Sequence, residues 1–108
     1  MLEDRNAHLI VAVHNSRVVG VLYAEIQEAP GDEVTQGYRR VSVEELTVRS
    51  DYQSVGVGTL LMVEAEKWAK LNQICDLTVL VYDFNDRAVD FYKKNGYKPY
   101  SIKMNKKI

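Results

Sequence analysis

The chain reads as a mixed-sheet α/β domain with a mostly antiparallel sheet and the element order β-β-β-α-β-α-β. Three observations predict this. Two stretches of helical apolar period, residues 56–72 and 85–94, carry start and stop signals at their ends. A continuous apolar and β-branched run, residues 77–82, separates them. Before the first helix lie three strand-like stretches divided by turn chemistry. With 108 residues and no repeat or low-complexity tract, residues 1–108 read as one small domain.

The elements follow in order. Residues 8–14 hold Leu9-Ile10-Val11-Ala12-Val13, and residues 18–26 hold a second apolar run. Asn15-Ser16-Arg17 between them suits a short turn, so the pair forms a hairpin. Ala29-Pro30-Gly31-Asp32-Glu33 is a loop, and residues 38–48 return as a third, antiparallel strand. Within that strand Val41 and Val43 share one phase of the two-residue period, whereas Leu46 and Val48 take the other. One extra residue at Glu44-Glu45 reconciles them, as a β-bulge does; a strand apolar on both faces is the alternative. A bulge would splay the strand from its neighbour and release backbone groups to a ligand. In the first helix Val57, Leu60, Leu61, Ala65, Trp68 and Ala69 fall at core-facing spacing. Residues 77–82 read as a buried central strand. Asn85 is an N-cap for the second helix, Asn95-Gly96 a C-terminal stop, and residues 97–104 supply a last strand or two.

Composition narrows the function. Fourteen basic and fifteen acidic residues are interspersed, for a net charge of −1, so no nucleic-acid footprint is expected. The apolar runs are too short to span a membrane, and no membrane partner is expected. Cys75 is the only cysteine, which excludes an internal disulfide; its apolar setting predicts a buried thiol. These features fit a cytoplasmic enzyme or binding module. No metal is expected, and His8 and His14, in the first hairpin and away from every motif, are assigned no chemistry.

The most informative segment is Leu46-Thr47-Val48-Arg49-Ser50-Asp51-Tyr52-Gln53-Ser54-Val55-Gly56-Val57-Gly58-Thr59, a strand that runs through a polar turn into a helix start. Free amides and the positive dipole end at such a start suit a phosphate or pyrophosphate. A nucleotide P-loop would need Gly-Lys-Ser/Thr, but Thr59-Leu60 follow Gly58. A dinucleotide fingerprint would need a glycine where Leu61 stands, and three antiparallel strands ahead of the turn do not make a doubly wound sheet.

Gln53-x-x-Gly56-x-Gly58 after a strand resembles the acyl-CoA pyrophosphate motif of the GNAT superfamily of N-acyltransferases. Asn85-Asp86-Arg87-Ala88-Val89-Asp90-Phe91-Tyr92-Lys93-Lys94-Asn95-Gly96-Tyr97 is similar to the same family's C-terminal motif. The resemblance covers about residues 8–108. It implies an N-acetyltransferase that moves an acetyl group from acetyl-CoA to a primary amine by direct attack in a ternary complex. Backbone groups of Leu46, Thr47 and Val48 would border the pantetheine arm, with Leu46 and Val48 pairing to it. The amides of Gln53, Ser54, Val55, Gly56, Val57, Gly58 and Thr59 would wrap the pyrophosphate. Glutamine is a permitted first residue of the motif, but it lacks arginine's charge. Asn85 would contact the cofactor arm while capping its helix. Tyr92 would protonate the departing CoA thiolate; without the motif it reads as a core tyrosine. Glu44-Glu45 resembles the acidic pair of small-amine acetyltransferases, and one of the two, Glu44 in preference, would deprotonate the acceptor.

The family's opening strand and two helices, which form one wall of the acceptor site, find no counterpart in residues 1–7. Three explanations stay open: a C-terminal piece of a longer enzyme, a minimal family member, or a homodimer that completes the wall. A non-catalytic acyl-CoA-binding module is the alternative function.

Overall fold

The computed structural model describes residues 6–108. Strands β1 (Ala7–His14) and β2 (Arg17–Ala29) are joined by Asn15 and Ser16, both at positive φ, 51° and 62°. Positive φ at both central residues is the two-residue turn whose twist matches paired strands. Strand β3 (Tyr38–Val48) runs antiparallel to β2, and β4 (Leu77–Val79) pairs with β3 in parallel. The sheet order is β1-β2-β3-β4, with α1 (Val57–Leu71) leading to β4 and α2 (Asp86–Lys94) following it.

Helix α1 covers one face of the sheet. Leu61, Met62, Ala65 and Ala69 meet Leu22, Ala24, Val41, Val43 and Ile74 in the buried core. Val57 and Trp68 pack at its margin as their spacing predicts, but Leu60 is 67% exposed and Met62 takes the buried place. The two stand two positions apart, on opposite sides of the helix, and Met62 is on the side that joins the core. His8 stacks on Trp68 with ring centroids 4.9 Å apart, so this histidine serves packing between β1 and α1. The opposite sheet face is open at β1, where Leu9, Val11 and Val13 are exposed.

The bulge forms where the phase shift demanded it. Val43 pairs with Ala24 and Glu45 with Tyr23, which leaves Glu44 as the extra residue. Its consequence is at the other edge of β3: pairing with β4 stops at Val43 and Val79, next to the bulge.

Three expectations fail in the C-terminal half. Residues 77–82 are not a central strand; only Leu77–Val79 pair, at the sheet edge, because splayed β3 offers no partner further on. Residues 97–104 form no strand. Cys75 is exposed, since the chain between α1 and β4 runs over the surface and only Ile74 turns inward.

Tyr97 ties α2 back to α1 by donating its hydroxyl hydrogen to Glu66 Oε2 at 2.8 Å. Burial, and then the Glu66 carboxylate, push its pKa well above the ordinary phenol value of 10.0. The folded state therefore holds this proton more tightly than the unfolded chain. The resulting stability is fully present below pH 10 and is lost as pH rises through the folded value. Tyr97→Phe is expected to cost about 1 kcal/mol at neutral pH, a charged hydrogen bond discounted for partial exposure. It should also flatten the alkaline decline, and denaturant melts at pH 7 to 11 measure both effects.

Candidate active site

The splay opens a cleft of about 420 Å³. Ser42, Val43, Glu44, Glu45 and Leu46 form one wall; Val79, Leu80, Val81 and Tyr82 form the other. Asn85, Ala88 and Tyr92 line it from α2. Helix α2 is positioned by its cap, in which Asn85 Oδ1 accepts from the Ala88 amide at 3.2 Å, and by Gly96 at φ 93° beyond its end. Ala88 and Tyr92 then lie one turn apart on the cleft side.

Hydrogen-bond direction along β3 explains which backbone groups the cleft receives. Before the bulge, the Val41 amide donates to the Asp76 carbonyl, towards β4. After it, the Arg49 amide donates to Val19, towards β2. The extra residue has reversed the alternation, so Leu46 and Val48 turn their amide and carbonyl groups away from β2, into the gap left by β4. Thr47 faces β2 with its backbone. The Val48 carbonyl accepts from Gln53 Nε2 at 3.0 Å, so the Gln53 side chain braces the turn against the strand end.

The two glutamates share a face. Glu44 accepts from Gln27 Nε2 at 3.3 Å, and Glu45 from Thr47 Oγ1 at 3.4 Å. Gln27 and Tyr23, the residue opposite Glu45, lie on the β2 face away from α1. Adjacent strand residues normally point to opposite sides; the bulge removes that constraint. Both carboxylates are exposed, and Tyr92 is half-buried, with its pKa raised by burial. A phenol so shifted stays protonated through the neutral range and can donate to a departing anion.

Beyond β3 a 3₁₀ turn, Ser50–Tyr52, leads into Gln53, Ser54 and Val55, all exposed, and to Gly56 as the N-cap of α1. Ser54 and Gly56 have φ of 64° and 97°. At Gly56 only the backbone conformation demands glycine, since nothing stands within 4 Å of an added Cβ. Gly58 answers a different need: an added Cβ would lie 3.1 Å from Phe91 Cζ, so it admits α2 against α1. Val57 and Thr59 complete the first turn of α1.

Two residues near this turn escaped sequence reasoning. Arg87 reaches from α2 to within 3.5 Å of Ser54 Oγ, and no carboxylate among the described residues is paired with it. His14 Nδ1 lies 2.7 Å from the Tyr52 hydroxyl, so this histidine adjoins the glycine turn. Separations of 33 and 38 residues hide both contacts from any local pattern. Arg87 did stand in the second motif, one residue before Ala88. Among the described residues no His, Cys, Asp and Glu side chains group as a metal site, and no helix is long and apolar enough to cross a membrane.

Known proteins share this arrangement. The profile described as Acetyltransferase (GNAT) family matches residues 1–97. Streptothricin acetyltransferase A of Bacillus subtilis (strain 168) is 40% identical over 55 residues, which are 51% of this chain and 32% of that protein. The chain thus matches about a third of that relative's length. Among solved structures, a tetramutant of the BH1408 protein from Bacillus halodurans superposes with a TM-score of 0.90 at 22% identity, covering 96% of this chain and 67% of that one. AAC(6')-Iy, in complex with the bisubstrate analogue CoA-S-monomethyl-acetylneamine, superposes with a TM-score of 0.81 at 14% identity, covering 97% and 72%.

Proposed function

Because the chain belongs to the acetyltransferase (GNAT) family, we propose that it transfers an acetyl group from acetyl-CoA to a primary amine by direct attack in a ternary complex. One observation carries this reading: the splayed cleft brings two carboxylates, a protonated phenol and free strand backbone to one place. The pantetheine arm adds to Leu46 and Val48 as a strand adds to a sheet edge. The pyrophosphate rests on the amides from Gln53 to Thr59 at the positive end of α1. Arg87 supplies the cation that Gln53 lacks, using donors that Ser54 leaves free.

Glu44 or Glu45 takes a proton from the acceptor ammonium, directly or through water. The freed amine attacks the thioester carbonyl, whose oxygen gathers negative charge beside the strand amides. Collapse expels the CoA thiolate, which takes its proton from Tyr92, and the surplus proton on the new amide nitrogen passes through solvent to restore the phenol. The products are an amide and free CoA. Cationic small molecules suit the paired carboxylates as acceptors, in keeping with the streptothricin in the name of the Bacillus subtilis relative and the acetylneamine of the analogue held by AAC(6')-Iy. A cytoplasmic setting suits a chain with one unpaired cysteine.

A calorimetric titration with acetyl-CoA tests the cofactor half, and release of CoA thiol across aminoglycosides, streptothricin, polyamines and peptide N-termini tests the transfer. Micromolar binding is expected, weakened roughly tenfold in Arg87→Ala, the equivalent of one charge-assisted contact. Binding without amine-dependent thiol release would identify a non-catalytic acyl-CoA module. No binding would refute both readings.

A further inference from the structure

The carboxylate of Glu44 is held from outside its own strand. On the sheet face away from α1, Gln27 of β2 stands opposite Arg40 of β3, with Ser42 and then Glu44 further along the same side of β3. Arg40 Nε donates to Gln27 Oε1 at 3.2 Å, and Gln27 Nε2 donates to Glu44 Oε1 at 3.3 Å. At the far end of this relay the guanidinium carbon of Arg40 lies 4.2 Å from the centroid of the Tyr38 ring, a cation–π contact that steadies it.

The direction of the relay has one solution. A guanidinium carries donors only, and an ionised carboxylate acceptors only. Between them Gln27 must turn its amide oxygen to Arg40 and its nitrogen to Glu44, because the flipped amide would set like against like at both ends. A neutral amide also suits a base. A cation set directly against a carboxylate favours its charged form and weakens it as a base; here the charge of Arg40 stands one side chain away. Glu45, by contrast, accepts from Thr47 on its own strand.

We propose that Arg40 and Gln27 are positioning residues that single out Glu44 as the base of the transfer. Gln27 engages Oε1 and fixes the rotation of the carboxylate, and Oε2 meets the acceptor. An ammonium N–H bond breaks, its electron pair stays on nitrogen as the attacking lone pair, and the proton bonds to Oε2 before release to solvent. The role of Glu44 rests on the acetyl-transfer reading; the relay itself does not.

Gln27→Met keeps the length of the side chain and removes both bonds. With acetyl-CoA and streptothricin, kcat is expected to fall roughly 10- to 100-fold, the effect of a misplaced reacting group, while acetyl-CoA affinity is unchanged. Arg40→Met should reproduce the loss. In a Glu44→Gln background Gln27→Met should add nothing, whereas in Glu45→Gln its full effect should persist. A loss of equal size in both backgrounds, or one carried by acetyl-CoA affinity, would overturn the proposal. Nuclear magnetic resonance supplies a readout that needs no turnover. The side-chain amide signals of Gln27, identified by their absence in Gln27→Met, should shift in Arg40→Met and in Glu44→Gln but hold in Glu45→Gln. Signals indifferent to Arg40 and Glu44 would refute the relay. The expected shifts in a protein that releases no CoA thiol would sink the transfer reading, and Glu44 as base with it, and leave the relay standing.

Discussion

Tyr92→Phe is expected to lower turnover by roughly 10²- to 10⁴-fold, the usual contribution of a positioned general acid, while acetyl-CoA binding persists. The phenyl ring keeps the packing against Phe91 and Tyr97, whose ring centroids lie 5.0 and 5.9 Å away. Only the proton donor is lost, so the effect belongs in kcat. A pH profile sharpens the result. The phenol acts in its protonated form, and burial raises its pKa above the ordinary 10.0. The alkaline fall of the wild-type rate should therefore come only above pH 10, and the variant should lack that limb. Unchanged turnover would remove Tyr92 from the mechanism and leave it a packing residue.

Deleting Glu44 should separate stability from function. It is the one unpaired residue at the bulge, so its removal leaves the registers of Val43 with Ala24 and Glu45 with Tyr23 intact. The strand becomes regular, and the alternation of backbone groups no longer reverses. Pairing between β3 and β4 can then continue past Val43 and Val79, which closes the cleft. A melting temperature no lower than wild type is expected. Acetyl-CoA affinity should drop roughly a hundredfold, the worth of two or three backbone hydrogen bonds. Retained affinity would show that the bulge does not shape the cofactor site.

Much of this architecture was legible because its causes are local. The two-residue hairpin turn, the cap at Asn85, the stop at Gly96 and the phase shift across Glu44-Glu45 each depend on a few neighbouring residues. The bulge was legible as a mismatch of period, although its effect on the glutamates was not. Adjacent residues of a regular strand diverge, whereas the irregular backbone here turns both to one face. That Gly58 also makes room for the Phe91 side chain was not legible in the sequence.

The C-terminal half shows where local reasoning stops. A β-branched run such as Leu77–Tyr82 has strand propensity along its whole length, but a strand exists only where another lies within hydrogen-bonding distance. The bulge withdraws that partner after Val79, and the same reasoning leaves Tyr100, Ile102 and Met104 with a pattern and no edge. By itself the sequence determined the type and order of the elements through the second helix, the glycine turn and the family's two motifs, because period and capping act over a turn or two of chain. Tertiary structure alone decided that Arg87 meets Ser54, that His14 adjoins the turn, that Cys75 is exposed and that β4 ends early. Each of these depends on which distant segments pack together, and packing is settled by the whole sheet at once.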